Sequence, residues 1–361
     1  SMTQENQEAE LIWSQDNEGK CIYAAFRPAG IEWGECAGEK QNIPYPSQQR
    51  LEDLLRFASL FAPFSAETQT GLVNFTGQGK ITVTRSQERM FSKWAQLVIQ
   101  EVQSGSVAAD QWKLLTYSVQ GGIAGRCEQS TIFTSGYALI QSCPGILPEK
   151  TGIVWLSDQQ LQSIYYWADQ LRSFDIEQTD LGMADALTTK ISFWGAGETM
   201  ATPIEQQTMA NMAEEFITQT TLQPDPMKIE AARQVLIQYF DALNQGNYSD
   251  AARLYGGSYD VLRSNNPAIS GDNFAGLFEA GCTLNGFICN LRIKNEVSVA
   301  QISPDTFRFS IELQNPDGSL FILGPCCGAS EEESPPVSQF DYSVKQTDTG
   351  YMVMLLPVYM P

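Results

Sequence analysis

Residues 47–64 read SQQRLEDLLRFASLFAPF, and residues 157–174 read SDQQLQSIYYWADQLRSF. The two stretches align without a gap, with Ser47 on Ser157, Leu51 on Leu161, Leu54 on Ile164, Leu55 on Tyr165 and Phe57 on Trp167. Ala58 on Ala168, Phe61 on Leu171 and Phe64 on Phe174 complete the match. In the first copy Leu51, Leu54, Leu55, Ala58 and Phe61 recur at helical spacing on one face, and Ser47 stands where an N-cap belongs. A repeated amphipathic helix implies a repeated surrounding, so the match extends outward in both directions.

Upstream, Lys20-Cys21 falls on Arg126-Cys127, Gly30 on Gly136, and Cys36-Ala37-Gly38 on Cys143-Pro144-Gly145. Downstream, after an insertion between Glu177 and Ala186, Phe75-Thr76-Gly77-Gln78-Gly79 meets Phe193-Trp194-Gly195-Ala196-Gly197. Thr84 then lies on Thr202, Ala95 on Ala213 and Ile99 on Ile217. One duplication accounts for all of this. Each copy predicts a hairpin, a helix, a strand pair turning at the Gly-x-Gly, and a second helix. Thr202-Pro203-Ile204-Glu205 is a capping box with proline at the first helical position, and Thr84-Arg85-Ser86-Gln87 is its looser copy. Neither Gly-x-Gly has the third glycine of a dinucleotide fingerprint, so a glycine turn is the expectation. The aromatic stripes Phe57, Phe61, Phe64 and Tyr165, Trp167, Phe174 are expected in the core.

The cysteines follow the same repeat. Cys21 and Cys36 bracket Gly30, as Cys127 and Cys143 bracket Gly136, and pairing within each hairpin would stabilise it by roughly 3 kcal/mol on a chain-entropy account. Eight cysteines in all, in an even count without a zinc-ribbon spacing, favour disulfides and an oxidising compartment over buried thiols in a cytosolic protein. Cys282 and Cys289 are the geometrically easier pair of the remaining four. Cys326 and Cys327 are then a vicinal disulfide or two thiols, and a bulge bending the sheet would instead allow cross-pairing between the two sets.

The chain of 361 residues carries 42 acidic against 22 basic side chains, a formal charge of −20, which repels phosphate backbones and anionic membranes. Nucleic acid is not expected as a partner. There is no histidine, which removes Ser-His-Asp triads, Cys-His dyads and His-ligated metals at a stroke. No cofactor and no metal are expected. The acidic loop around Glu331, Glu332 and Glu333 lacks the alternating ligands and glycine of a calcium loop and reads as solvated surface. No run reaches the ~20 apolar residues of a membrane span. Residues 1–10, beginning Ser1-Met2, read as a tag scar and polar leader left when a signal sequence or lipid anchor is trimmed. Any membrane contact is therefore expected only through a removed N-terminal anchor.

Beyond the repeats at 11–104 and 112–220, residues 221–226 read as a linker, and 227–361 as a separate module. Asp225 caps a helix with Pro226 at its first position; Ala232, Val235, Leu236, Tyr239, Phe240 and Leu243 supply its apolar face, and it stops at Asn244-Gln245-Gly246. Shorter helices are expected over 249–255 and 271–280. Strands are expected over 291–299, 306–313, 320–323, 339–346 and 351–359, joined at Ser303-Pro304-Asp305 and Asn315-Pro316-Asp317-Gly318. The fold class is thus α+β: two duplicated modules, then helices wrapped by a curved antiparallel sheet.

The run from Ala231 through Tyr239-Phe240-Asp241-Ala242-Leu243-Asn244-Gln245-Gly246-Asn247-Tyr248 to Ala251-Ala252-Arg253-Leu254-Tyr255 resembles the opening of nuclear transport factor 2-like (SnoaL-like, cystatin-like) domains. The resemblance covers 227–361 and implies a cone-shaped fold. It leaves function open between isomerases, dehydratases and non-catalytic binding domains. The tandem modules more vaguely resemble secreted or lipoprotein modules of Chloroflexi-type bacteria, which carry no known activity. Candidate liners of the cone are Tyr239, Tyr255, Tyr259, Phe274, Phe278 and Phe309, and Asp260 beside Tyr259 is the candidate acid/base pair. Against this stands a plain aromatic core with Tyr259-Asp260 at a helix junction. The leading expectation is an exported, non-enzymatic envelope or lipoprotein-type protein binding a small apolar ligand or a protein. The alternatives are a metal-free isomerase or dehydratase and, through the repeats, a protein inhibitor.

Overall fold

A computed structural model of the chain describes residues 9–105, 111–122, 125–143, 151–179, 186–331 and 334–360. Ser1-Met2 and the residues up to 8, together with Pro144-Gly145, Glu332 and Glu333, lie outside them. The fold is α+β, with three antiparallel sheets.

The first sheet contains β1 (Glu10–Asn17), β2 (Lys20–Arg27), β3 (Gly30–Glu35), β4 (Lys40–Ile43), β5 (Phe64–Thr68) and β6 (Gly71–Thr76), in the order β4-β3-β2-β1-β6-β5. Helix α1 (Gln48–Leu60) precedes β5, and α2 (Arg85–Ser104) follows β6. The second copy repeats the plan with β7 (Lys113–Gly121), β8 (Arg126–Phe133), β9 (Tyr137–Ser142), β10 (Thr151–Trp155), α3 (Asp158–Gln170), β11 (Arg172–Thr179), β12 (Leu187–Ala196) and α4 (Pro203–Thr221). Its sheet order, β10-β9-β8-β7-β12-β11, is the same permutation. The insertion sits in the β11–β12 hairpin, whose strands of 8 and 10 residues replace the 5 and 6 of β5 and β6.

The central strand of each copy, β1 and β7, is not among the strands expected from the sequence. Glu10, expected in the leader, instead starts β1 and pairs with Arg27 across the sheet. The alternation that makes β1 a strand is present: Leu11 and Trp13 are buried between half-exposed Ile12 and Ser14. Helix α1 buries Leu54, Phe57, Ala58 and Phe61, while Leu55 is 45% exposed; its apolar face is rotated toward Arg50 and Asp53. Ser47 is at the N-cap, but its hydroxyl makes no capping bond. The capping boxes at Thr84 and Thr202 both form, the Gln87 and Glu205 amides donating to their hydroxyls.

The Gly-x-Gly is not a hairpin turn. The β5–β6 turn comes earlier, at Gly71, and Gly77-Gln78-Gly79 runs from β6 across the last turn of α1. The amides of Gln78 and Gly79 both donate to the Ala58 carbonyl, and Ile81 N–H donates to Leu60 O. A Cβ on Gly79 would stand 2.0 Å from the Leu60 carbonyl carbon, and one on Gly197 would stand 2.1 Å from that of Gln170. The glycines are selected because backbone lies on backbone, which no turn preference would require.

Contacts divide the chain into two compact units, Ser1–Leu156 with Gln160–Ala213, and Ser157–Gln159 with Glu214–Pro361. Both duplicated sheets belong to the first. In the second, α5 (Pro226–Asn244) is capped by Asp225, whose carboxylate accepts from the Met227 and Lys228 amides. The link between α4 and α5 is Leu222–Asp225. Then follow α6 (Tyr248–Leu254), α7 (Asp260–Asn265), α8 (Phe274–Leu284) and the sheet β13 (Arg292–Ser303), β14 (Thr306–Gln314), β15 (Gln339–Thr347), β16 (Gly350–Val353). Helix α7 is additional to the helices expected. Residues 320–323 join the sheet only by isolated bridges, Gln314 with Leu320 and Leu323 with Val337, and β16 ends well before Tyr359. Three register shifts bend β13, so the sheet curves over α5, which packs on all four strands.

All eight cysteines are paired: Cys21–Cys36, Cys127–Cys143, Cys282–Cys289 and Cys326–Cys327. In both hairpins the second cysteine's amide donates to the first's carbonyl, so the ladder sets the Cα atoms 5.3 Å apart, within disulfide reach. Among the described residues no helix is long and apolar enough to cross a membrane.

Candidate functional site

The aromatic residues expected to line the C-terminal cone converge. Helix α5 contributes Tyr239, fully buried, and α8 contributes Phe278, 1% exposed; Tyr255 and Tyr259 come from the connections after α6 and before α7. The Tyr239 ring stacks on Tyr255 at 6.3 Å, and Phe278 meets Tyr239, Tyr255 and Tyr259 edge-on at 6.2, 5.4 and 5.8 Å. Phe309, on β14, is fully buried in the same core. Edge-to-face packing at these separations is how rings fill an interior against one another.

Each tyrosine hydroxyl in this group is committed to backbone. Tyr239 Oη donates to Leu355 O at 3.2 Å, Tyr255 Oη to Ser258 O at 2.8 Å, and Tyr259 Oη to Ala252 O at 3.3 Å. Burial pushes all three phenols up, Tyr255 and Tyr259 to about 12. They are therefore neutral donors at ordinary pH, holding helix ends and loops to the core.

The edge of this cluster reaches the surface. Phe274 is 40% exposed and lies 4.4 Å from the Tyr259 ring, with the Arg263 guanidinium 5.7 and 5.9 Å from the two ring centres. Asp260, the candidate base, lies on the solvent side of the first turn of α7, its side chain 85% exposed and 3.7 Å from Arg263. Tyr259 and Asp260 are sequence neighbours, yet the hydroxyl of one turns inward and the carboxylate of the other outward. Asp260 therefore faces solvent and not the aromatic interior.

A second constellation, in the duplicated unit, is one that the sequence reading misses. Asp53 on α1 is fully buried; it accepts from Trp94 Nε1 at 3.2 Å and lies 3.4 Å from both Arg50 and Arg56. Arg50 also pairs with Glu101 at 3.1 Å and lies 3.5 Å from the ring centre of Trp112. Gln49 donates to the hydroxyl of Tyr137 at 2.7 Å. Burial raises the Asp53 carboxyl, outweighing the indole and the two guanidinium groups that lower it. The residues that meet here come from both copies, and Arg89 with Asp169 at 2.9 Å adds a surface pair between them. In the aligned register the second copy has Gln160, Ser163, Tyr166 and Met212 in place of Arg50, Asp53, Arg56 and Trp94. That asymmetry is the signal the sequence offers: an aspartate next to Leu54 and four residues before Phe57, flanked by arginines at i−3 and i+3.

Among the described residues no group of three or more cysteine, aspartate or glutamate side chains is placed to hold a metal ion. Comparison of the chain with family models, with curated proteins and with solved structures finds no match in any of the three.

Proposed function

We propose that this chain is an exported, non-catalytic binding protein of the cell exterior or envelope, and that its partner is a protein engaged at the surface. The observation that carries the reading is the pairing of all eight cysteines, two of the bridges closing equivalent hairpins in the two copies of a duplication. Disulfides persist where the compartment is oxidising. The choice of a protein over a small apolar ligand rests on the C-terminal aromatic rings, which pack on one another with their hydroxyls committed to backbone carbonyls. The choice of binding over catalysis rests on the exposed Asp260 and on a chain with no imidazole to share proton transfer.

The test is fractionation of cells that make the protein naturally, with thiols alkylated before any reductant is added. Recovery from the culture fluid or envelope with all eight cysteines protected supports the proposal. Recovery from the cytosol with free, alkylated cysteines overturns it. Isomerase or dehydratase turnover that disappears in Asp260→Asn would overturn the non-catalytic part separately.

A further inference from the structure

Three of the four disulfides do one mechanical job. Cys21–Cys36 and Cys127–Cys143 close hairpins, and Cys282–Cys289 ties the end of α8 to the residues before β13. With sequence separations of 15, 16 and 7, each restricts the unfolded chain by closing a loop. Cys326–Cys327 closes none. Its sequence separation is 1 and its Cα atoms are 3.8 Å apart, the spacing of any neighbours on a chain.

Its setting differs as well. Residues 324–331 belong to no helix or strand, and Gly324, Pro325, Cys327 and Gly328 are exposed. Cys127 and Cys289, by contrast, are buried residues of their bridges. Cys327 has φ 62°, one of two non-glycine residues in the left-handed region among those described, and Gly328 follows at 84°. A β-carbon crowds its own backbone there, so reduction that frees Cys327 to leave that region is favoured about tenfold by the relief. Opening any of the other three gives up a loop closure.

We propose that Cys326–Cys327 is a thiol–disulfide exchange site, open to a low-molecular-weight thiol, and the redox-sensitive position of this chain. The thiolate of the small molecule attacks Sγ of Cys327, the exposed residue of the pair. The S–S bond breaks, and Cys326 leaves as a thiolate with the bonding pair and takes up a proton. A second small-molecule thiolate then attacks the mixed disulfide at its small-molecule sulfur, releasing Cys327 as a thiol. Two thiols are oxidised to one disulfide, and the protein gains two electrons and two protons. The backbone at Cys327 is thereby freed from the small ring of the vicinal bond, which closes no loop of the fold.

The experiment equilibrates the folded, full chain in glutathione buffers of graded ratio, labels free thiols, and maps all eight cysteines by peptide mass spectrometry. Cys326 and Cys327 are expected to become labelled as a pair at a value of the reduced-glutathione concentration squared over the oxidised-glutathione concentration about tenfold below that which opens any other bridge. The melting temperature of that partly reduced form should not fall below that of the oxidised protein, because the strain relieved at Cys327 belongs to the folded state. Cys21–Cys36 is the internal control, because Cys36 is also exposed but its bridge closes a hairpin. Labelling of Cys326 and Cys327 no earlier than Cys21 and Cys36, or a melting temperature that falls as they open, overturns the proposal. The double variant Cys326→Ser with Cys327→Ser should fold with the other three bridges intact and lack the early labelling; a variant that fails to fold assigns the bridge a structural role and equally overturns it.

Discussion

At the scale of single residues, Asp53 carries the largest consequence. It is buried between two arginines and an indole, and removing it takes a carboxylate from each arginine and the acceptor from the buried Trp94 N–H. Asp53→Ala is expected to cost about 3–5 kcal/mol of stability in urea titrations, because Arg50 would keep only Glu101. The pH dependence has a definite sign. The folded-state carboxyl is raised, so between the ordinary carboxylate value and that higher value the folded protein holds a proton the unfolded chain has lost. Asp53's share of stability therefore falls as pH rises through that window. The stability of the native protein minus that of Asp53→Asn should decrease as pH rises above the ordinary carboxylate value; a difference that grows with pH would show that the arginines outweigh burial. Asp260, exposed beside Arg263, belongs at the other extreme, and Asp260→Asn should change stability by less than about 0.5 kcal/mol in the same assay.

At the scale of elements, the close approach of Gly77-Gln78-Gly79 to α1 makes a sharp prediction. Gly79→Ala puts a methyl where the Leu60 backbone already is, and urea titration should show a loss of about 3 kcal/mol. Gly105, which caps α2 at φ 72° with nothing within 4 Å of where a methyl would stand, is the control, and Gly105→Ala should lose only about 1 kcal/mol from backbone conformation. Equal losses would mean that the Leu60 backbone gives way to the methyl at little cost. The helices themselves are legible wherever their caps are local: Thr84, Thr202 and Asp225 each satisfy amides two or three residues away. Short elements are not. Helix α7 has six residues, and β16 has four, too few for a period to declare itself.

At the scale of the molecule, duplication and cross-linking set the architecture. Two sheets share one strand permutation, and each is pinned by a hairpin disulfide in the same place. Replacing both Cys127 and Cys143 by serine opens a loop of separation 16 and should destabilise by about 3 kcal/mol in denaturant titrations. No loss there would place the cross-link's effect in the folded state's geometry rather than in the unfolded chain. The two copies have nonetheless diverged where they meet: charged Arg50, Asp53 and Arg56 in the first align with Gln160, Ser163 and Tyr166 in the second.

By itself the sequence determined the repeat, the hairpin cysteine pairs, the capped helices and the absence of imidazole chemistry, because each of these is written in spacings along the chain or in a count. The tertiary structure alone decided that Gly-x-Gly is a crossing of backbones, that Leu55 faces out, that Asp53 is buried and that Asp260 is exposed beside an inward Tyr259. Those outcomes depend on which distant segment covers a given face: α1 receives Trp94 from α2 and Trp112 from the second copy, and no local pattern around residue 53 encodes either. Burial is a property of the neighbours a residue acquires, and the chemistry of a carboxylate or a phenol follows from that burial.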